Sequence, residues 1–178
     1  PSFVKKRRER VPAIDELIKF RHSNTRNCIQ ILGEGGLGKT KLVIEFIKNS
    51  LEVENGEAEF DSVLMLTAKS DSQGEWSTDF SDFTKQEDLP SPRDPTLAFG
   101  HYISGMDFDE TMEYIFKFAG VPLNDMRKLK RAFRDHRLLI ILDNFEDANE
   151  KNLESFESFF EEVMEFEGCR SKIIITGR

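Results

Sequence analysis

Cysteine, histidine and long apolar runs are all scarce in this sequence of 178 residues, and each shortage excludes a class of protein. The two cysteines, Cys28 and Cys169, are far apart and cannot supply the disulfide framework of a small secreted domain, so we expect reduced packing residues in a cytoplasmic protein. The three histidines show no metal-ligand spacing. No run of 18 apolar residues occurs, which argues against a membrane as partner.

The overall composition is that of a globular chain. Hydrophobic residues make up 38% and charged residues 33%, and the net charge of −8 argues against direct nucleic-acid binding by this segment. We expect one domain over 1–178, with a lead-in and helix at 1–25 and a long insertion or loop at 68–107. The chain begins at Pro1 and stops at Arg178 directly after a strand-like run, so we expect a fragment of a longer protein.

A glycine-rich segment, Gly33 to Thr40, matches the phosphate-binding loop pattern G-x-x-x-x-G-K-[ST] at every defined position. A strand-like run, 28–32, precedes it, and a helical pattern, 41–48, follows it. Glycines let the backbone turn several N–H groups toward phosphate oxygens, and the helix N-terminus adds partial positive charge. Lys39 would then reach the β- and γ-phosphates, and the Thr40 hydroxyl would bind Mg²⁺.

Two other interpretations of this loop stay open. The same glycines also satisfy G-x-G-x-x-G, the dinucleotide fingerprint, which needs an acidic residue about 20 positions further on at the end of the second strand. Glu57 and Glu59 instead precede the expected second strand, 62–67, and a dinucleotide site leaves Lys39 and Thr40 unexplained. The remaining alternative is a plain glycine turn before a helix.

Strand-like and helical patterns alternate along the chain. We expect helices at about 12–21, at 41–48, at 109–119, from Pro122 onward, and after a cap at Asn149. We expect strands at 28–32, 62–67, 138–142 and 172–176. Such alternation predicts an α/β fold with a parallel sheet covered by helices on both faces, that is, a three-layer α/β/α sandwich.

The apolar run 138–142 ends in Asp143, which is a Walker B pattern. A carboxylate at the end of such a strand can hold the Mg²⁺ that bridges nucleotide phosphates. The next residue, Asn144, cannot take a proton from water, whereas Glu146 can substitute as a base or can be a solvated loop residue. Slow or conditional hydrolysis is therefore favoured over fast turnover.

The last strand pattern ends in Thr176-Gly177-Arg178. An arginine at the end of a strand beside the phosphate loop can sense a γ-phosphate through its forked guanidinium. The alternative is an exposed surface arginine.

Together these three blocks resemble the STAND class of signal-transduction ATPases, particularly its NB-ARC-like branch and its bacterial members. That family shows a G-x-G-G-[LIVM]-G-K-[ST] loop, a strand ending in D-[DN] and a strand ending in T-x-R. The resemblance implies a P-loop NTPase of the additional-strand type, with the Thr176 strand between the loop strand and the Asp143 strand. It also implies that ATP or ADP is the nucleotide and that Arg178 has the sensor role.

Further expectations rest on the resemblance alone. Family members begin near an F-[VI]-G-R-E segment that borders the adenine; here Phe3-Val4 matches, but Lys5-Lys6-Arg7 follows, so only Phe3 and Val4 carry over. ATP binding would drive self-association of the parent protein, whose other domains would be partners, in defence or transcriptional signalling.

The expected site residues follow from the loop, the two strand ends and the resemblance. The nucleotide contacts are Gly33, Glu34, Gly35, Gly36, Leu37, Gly38, Lys39, Thr40, Lys41, Phe3 and Val4. The magnesium ligands are Thr40 and Asp143, and the catalytic residues are Lys39, Asp143, Glu146 and Arg178.

The sequence favours an ATP/ADP-binding switch domain with slow, Mg²⁺-dependent hydrolysis. One rival is an AAA+-type motor ATPase that uses Glu146 as its base. A second rival is an interaction domain that works without nucleotide. A GTPase is disfavoured, because no N-K-x-D segment is present to recognise the guanine base.

Overall fold

A computed structural model describes residues 14–51, 59–68, 97–164 and 167–178. Within these ranges the chain is α/β, and its strands form one sheet in which every pairing is parallel. The expected contacts of Phe3 and Val4 lie outside the described residues. No helix in the described ranges combines the length and apolar character that crossing a bilayer requires.

The described part of the sheet has five strands in the order β1-β5-β4-β2-β3. These are β1 (Cys28–Leu32), β2 (Ser62–Thr67), β3 (Leu97–Tyr102), β4 (Leu138–Asp143) and β5 (Lys172–Gly177). The last strand therefore lies between the strand that precedes the glycine loop and the strand that ends in Asp143, the position expected for it. In β2, β4 and β5 every residue is buried, which is why the middle of each strand is an apolar run.

Helices connect the strands. They are α1 (14–21), α2 (Lys39–Leu51), α3 (Phe108–Phe118), α4 (Met126–Asp135) and α5 (Glu150–Met164), with short 3₁₀ turns at Ser104–Met106 and Phe145–Asp147. Two of the helix ends expected from sequence are observed. The backbone of Gly120, with φ at 67°, closes the end of α3, and the Asn149 side chain accepts a hydrogen bond from the Lys151 N–H at the start of α5.

Two apolar cores cover the two faces of the sheet. In β4, Leu138, Ile140 and Leu142 face a core shared with α3, α4 and α5. Leu139 and Ile141 face the other core, which α1 and α2 complete. Because successive side chains of a strand point to opposite faces, the single apolar run of β4 contributes to both cores. Helices on both faces give the three-layer arrangement predicted from sequence.

The expectation of an insertion or loop throughout 68–107 is wrong at its carboxyl end. Residues 69–96 lie outside the described part, but Leu97–Tyr102 forms β3, which pairs with β2 along its whole length. This strand contains Gly100 and no β-branched residue, so its sequence lacks a strand signal. It is at the end of the observed strand order, where main-chain hydrogen bonds to β2 hold it.

The expected helix start at Pro122 is also wrong, because α4 begins at Met126. The Asp125 N–H closes a turn onto the Pro122 carbonyl at 3.2 Å, and Asn124 takes a left-handed φ of 65°. The Asp125 carboxylate then accepts from the Lys128 N–H and caps the helix. Leu123, which lies in this turn and not in the helix, is 52% exposed.

Candidate functional site

The glycine loop lies at the carboxyl edge of the sheet, between the end of β1 and the start of α2. Gly36 and Gly38 have φ values of 78° and 79°, a region that residues with a Cβ enter at a cost. The Gly33 N–H donates to the Gly177 carbonyl at 3.2 Å, which ties the loop to the end of β5. The sequence forms this turn because its glycines stand where the backbone must take positive φ.

Lys39 lies across the loop that precedes it. Its ammonium donates to the Gly33 carbonyl at 2.6 Å and to the Glu34 carbonyl at 3.2 Å. Leu37 is half exposed, and Lys41 is exposed on α2. The loop carbonyls therefore hold the lysine ammonium at the centre of the loop, in the region where a phosphate-binding loop needs its positive charge.

Thr40 and Asp143, 103 positions apart in sequence, are in direct contact. The Thr40 hydroxyl lies 3.0 Å from each carboxylate oxygen of Asp143 and donates to them. Parallel strands bring their carboxyl ends to one edge of the sheet, and that edge is where β1 enters the loop and β4 ends. The two residues predicted to bind magnesium are thus brought together.

Asp143 is fully buried and accepts several more hydrogen bonds. Thr176 donates to it at 2.6 Å, the Asn144 amide at 2.8 Å and Thr67 at 3.4 Å. Burial raises the pKa of Asp143, because desolvation penalises the carboxylate. Hydrogen bonds from Thr176, Thr40 and Thr67 act in the opposite direction, and the charge of Glu146 raises the pKa further.

Thr67 and Thr176 were missed as site residues by the sequence analysis. Each is the last hydroxyl residue of a fully buried strand beside β4, and Thr67 is in register with Asp143. A polar residue at the end of an apolar strand next to the Asp143 strand is the signal that would have found them. Asn144, considered only as a poor base, holds the carboxylate through its amide in a left-handed conformation with φ at 57°.

Glu146 and Arg178 form an ion pair beside the loop, with the arginine Nε 3.4 Å from Oε1 of the glutamate. The second glutamate oxygen, Oε2, is buried without a hydrogen-bond partner among the described residues, and it lies near Gly177. The guanidinium also lies against the loop, since a Cβ built on Gly35 would be 3.4 Å from Nη2 of Arg178. All four residues predicted to be catalytic are therefore gathered at this edge of the sheet.

The residues present suit a nucleotide-bound magnesium ion better than a free metal ion. The described part of the chain contains no group of three or more His, Cys, Asp and Glu residues placed to hold a metal. One hydroxyl and one carboxylate are too few ligands for Mg²⁺, which normally completes its octahedron with substrate phosphates and water. Asp143, itself bonded to Thr40, Thr176 and Asn144, is suited to act through a water molecule.

Comparison with known proteins assigns the chain to no family. No protein-family model matches the chain, and the search of curated proteins found no match.

Proposed function

We propose that this chain is an ATP/ADP-binding switch domain of a STAND-type signalling ATPase, with slow, Mg²⁺-dependent hydrolysis. The observation that carries the proposal is the contact between Thr40 and both carboxylate oxygens of Asp143 at 3.0 Å, next to the glycine loop. A P-loop protein needs this pair side by side, since the hydroxyl and the carboxylate serve one magnesium ion.

The sheet order supports the finer fold assignment within this proposal. β5 lies between β1 and β4, which is the order that the additional-strand type of P-loop NTPase would have. Arg178 then follows β5, the strand that pairs with β1, and Asp143 ends β4, the next strand in the sheet. A dinucleotide site would require an acidic residue closing β2, whereas that strand closes with Thr67.

The loop residues would bind the phosphates by exchanging existing hydrogen bonds. Lys39 would give up its bonds to the Gly33 and Glu34 carbonyls and donate to phosphate oxygens instead. Main-chain N–H groups of the loop would hold the remaining oxygens. Magnesium, when bound, would neutralise phosphate charge, with Thr40 as its protein ligand and Asp143 orienting its water.

The surroundings of Glu146 support slow turnover. Its Oε1 is paired with Arg178, so activating a water molecule would require the carboxylate to turn from the arginine toward the phosphate. Asn144, the residue after Asp143, donates its amide to Asp143 and cannot accept a proton as a base does. These two features suit a switch that holds ATP for long periods before hydrolysing it.

One observation favours the rival motor ATPase. Oε2 of Glu146 is buried and has no hydrogen-bond partner among the described residues, as a base waiting for a water molecule would be. Steady-state turnover separates the two functions. Sustained rates near the enzyme median of about 10 per second would favour the motor, and far slower rates favour the switch.

The biological setting proposed for the domain follows from the resemblance. The parent protein would be cytoplasmic, would self-associate when ATP replaces ADP, and would carry other domains as partners. Its signalling would serve defence or transcription.

Calorimetric titration tests the proposal. Mg-ATP should bind the natural chain at the glycine loop, and Lys39→Ala should abolish or greatly weaken that binding. Lys117→Ala removes the same charge from an exposed position on α3, on the other face of the sheet, and should leave the affinity unchanged. Equal affinity in the natural chain and Lys39→Ala would refute the loop site, and no binding of ATP or ADP by the natural chain would favour the interaction domain.

A further inference from the structure

A cavity of about 470 Å³ lies at the opposite edge of the sheet from Thr40 and Asp143. The residues that line it come directly before strands, where the amino ends of the parallel strands meet. They include His22 and Ser23 before β1, Glu59 and Phe60 before β2, Arg137 before β4 and Arg170 before β5. Because a six-residue strand is roughly 20 Å long, this cavity is separate from the candidate nucleotide site.

The cavity is basic although the chain carries a net charge of −8. Among the lining residues that the structure describes, four are cations, namely Arg21, Arg137, Arg170 and Lys172, and one is an anion, Glu59. A concave site lined by one sign of charge concentrates ions of the opposite sign. The expected ligand is therefore an anion.

Lys172 contributes a buried positive charge at the base of the cavity. Only 4% of the residue is exposed, and its ammonium donates to the Ser23 carbonyl at 2.6 Å and the Arg26 carbonyl at 2.5 Å. Its third acceptor is Oδ1 of Asn27, at 3.1 Å. All three acceptors are neutral, so they satisfy its hydrogen bonds without cancelling its charge. Burial lowers the pKa of Lys172, because desolvation penalises the charged ammonium.

Two of the arginines are held in place by acidic residues. Arg21 forms an ion pair with Glu59, and the Arg137 guanidinium lies 3.3 Å from Asp61, whose other oxygen accepts from the Arg137 N–H at 2.7 Å. Such pairing fixes a side chain before a ligand arrives, which reduces the entropy lost on binding.

Arg170 differs from the paired arginines. It is exposed, and its guanidinium makes no hydrogen bond or ion pair to any residue in the described ranges. It is therefore free to contact a ligand that enters the cavity.

We propose that this cavity binds a small phosphorylated molecule, with Arg170 and Arg137 contacting its phosphate and Lys172 supplying the positive field. The forked arginine guanidinium matches phosphate oxygens in geometry. The volume falls within the range of small-molecule sites, about 300–1,000 Å³. Phe60 and Cys169, both buried, provide an apolar wall for the body of such a molecule. This site is independent of the proposed ATP site.

Pyrophosphate titrated calorimetrically in about 0.15 M KCl is a suitable probe, because screening at that ionic strength suppresses binding to isolated surface charges. The titration is made in Lys39→Ala, which removes phosphate binding at the glycine loop. One site should persist there, and adding Arg170→Gln should weaken it about tenfold or more, as expected for loss of a charged hydrogen bond.

Arg131→Gln, added to Lys39→Ala in the same way, is the matched control. It removes one positive charge from α4, where Arg131 is exposed and, within the described ranges, paired only with Asp135, outside the cavity. Its pyrophosphate affinity should equal that of Lys39→Ala alone. Loss of all binding in Lys39→Ala, or equal weakening by the two arginine substitutions, would overturn the proposal. Neither result bears on whether the natural chain binds ATP.

Discussion

At the scale of single residues, the site centres on the carboxylate of Asp143. It is fully buried, and its close partners are the hydroxyls of Thr40 and Thr176 and the amide of Asn144, all of them neutral donors. Neutral donors orient the carboxylate without neutralising its charge. A charge so arranged is ready for a cation, and this is what the proposed magnesium site requires.

The raised pKa of Asp143 makes a prediction about stability in the absence of nucleotide and Mg²⁺. A group whose pKa is higher in the folded state contributes stability below its unfolded pKa, near 3.8, and loses it as pH rises through the folded pKa. Asp143→Asn cannot titrate, so its free energy of unfolding relative to the natural chain should increase as pH rises from about 4 toward neutrality.

Urea unfolding of both proteins, in EDTA and at several pH values, measures this difference. Subtracting the two free energies of unfolding cancels the contributions of the other titrating groups, which both proteins share. A stability difference that stays constant or falls as pH rises would contradict the raised pKa.

Sequence predicted the site residues that belong to motifs, Thr40 and Asp143 among them, but not the other threonines that surround Asp143. Thr40 and Asp143 stand in patterns whose chemistry dictates their residue types. Thr67 and Thr176 become partners of Asp143 only through the strand order, which brings β2 and β5 to either side of β4. The pairing of Glu146 with Arg178 likewise depends on how a 3₁₀ turn lies against the end of β5.

At the scale of elements, the glycine loop depends on backbone conformation. Gly36 has φ at 78°, and a Cβ added there would meet no atom within 4 Å, so a side chain costs conformational energy without a clash. Gly36→Ala should therefore destabilise the loop conformation by about 1–2 kcal/mol and weaken nucleotide binding to match, roughly five- to thirtyfold. Calorimetric affinity for ADP is the measurement.

Gly36→Asn provides the comparison, because asparagine enters the left-handed region more readily than alanine. It should retain more affinity than Gly36→Ala. If Gly36→Ala and Gly36→Asn both bind ADP as tightly as the natural chain does, positive φ at Gly36 is not needed for binding.

Helix caps give a second prediction at this scale. Asp107 caps α3 by accepting from the Glu110 N–H at 3.0 Å, so Asp107→Ala should lower the free energy of unfolding by about 0.5–2 kcal/mol. Asp109→Ala removes the same charge from the first turn, where Asp109 acts through the helix dipole, and should cost less, about 0.3–1 kcal/mol. Denaturant unfolding measures both, and a larger loss for Asp109→Ala would contradict the capping role.

Sequence located the fully buried strands more accurately than β3 and the start of α4. β2 was predicted with its observed bounds, because burial on both faces forces a continuous apolar run. β3 carries no such pattern, since its place in the sheet comes from pairing of main-chain groups with β2. The start of α4 was misplaced because Pro122 suits both a helix start and the turn in which it is found.

At the scale of the whole molecule, both cores meet on the central strands that also carry the site. β4 and β5 contribute alternate residues to the two cores and end in Asp143 and in Thr176-Gly177. Binding at the carboxyl edge should therefore stabilise the fold as a unit.

Nucleotide binding should raise the melting temperature accordingly. At 100 times its dissociation constant, Mg-ATP should add about 2.7 kcal/mol, which corresponds to roughly 5–10 °C in a chain of this size. Lys39→Ala should show little or no shift at the same concentration. Differential scanning fluorimetry measures the shift, and an equal rise in both proteins would place the bound nucleotide somewhere other than the glycine loop.

Thr40 and Asp143 are proposed to share a nucleotide-bound magnesium ion, and the Mg²⁺ dependence of ATP affinity in Asp143→Asn is the sharpest check of this claim. Calorimetry with and without Mg²⁺ gives this dependence for the natural chain and the variant. We expect Mg²⁺ to strengthen ATP binding markedly in the natural chain and much less in Asp143→Asn, while metal-free ADP binds both about equally. An equal gain from Mg²⁺ in the two proteins would contradict the claim.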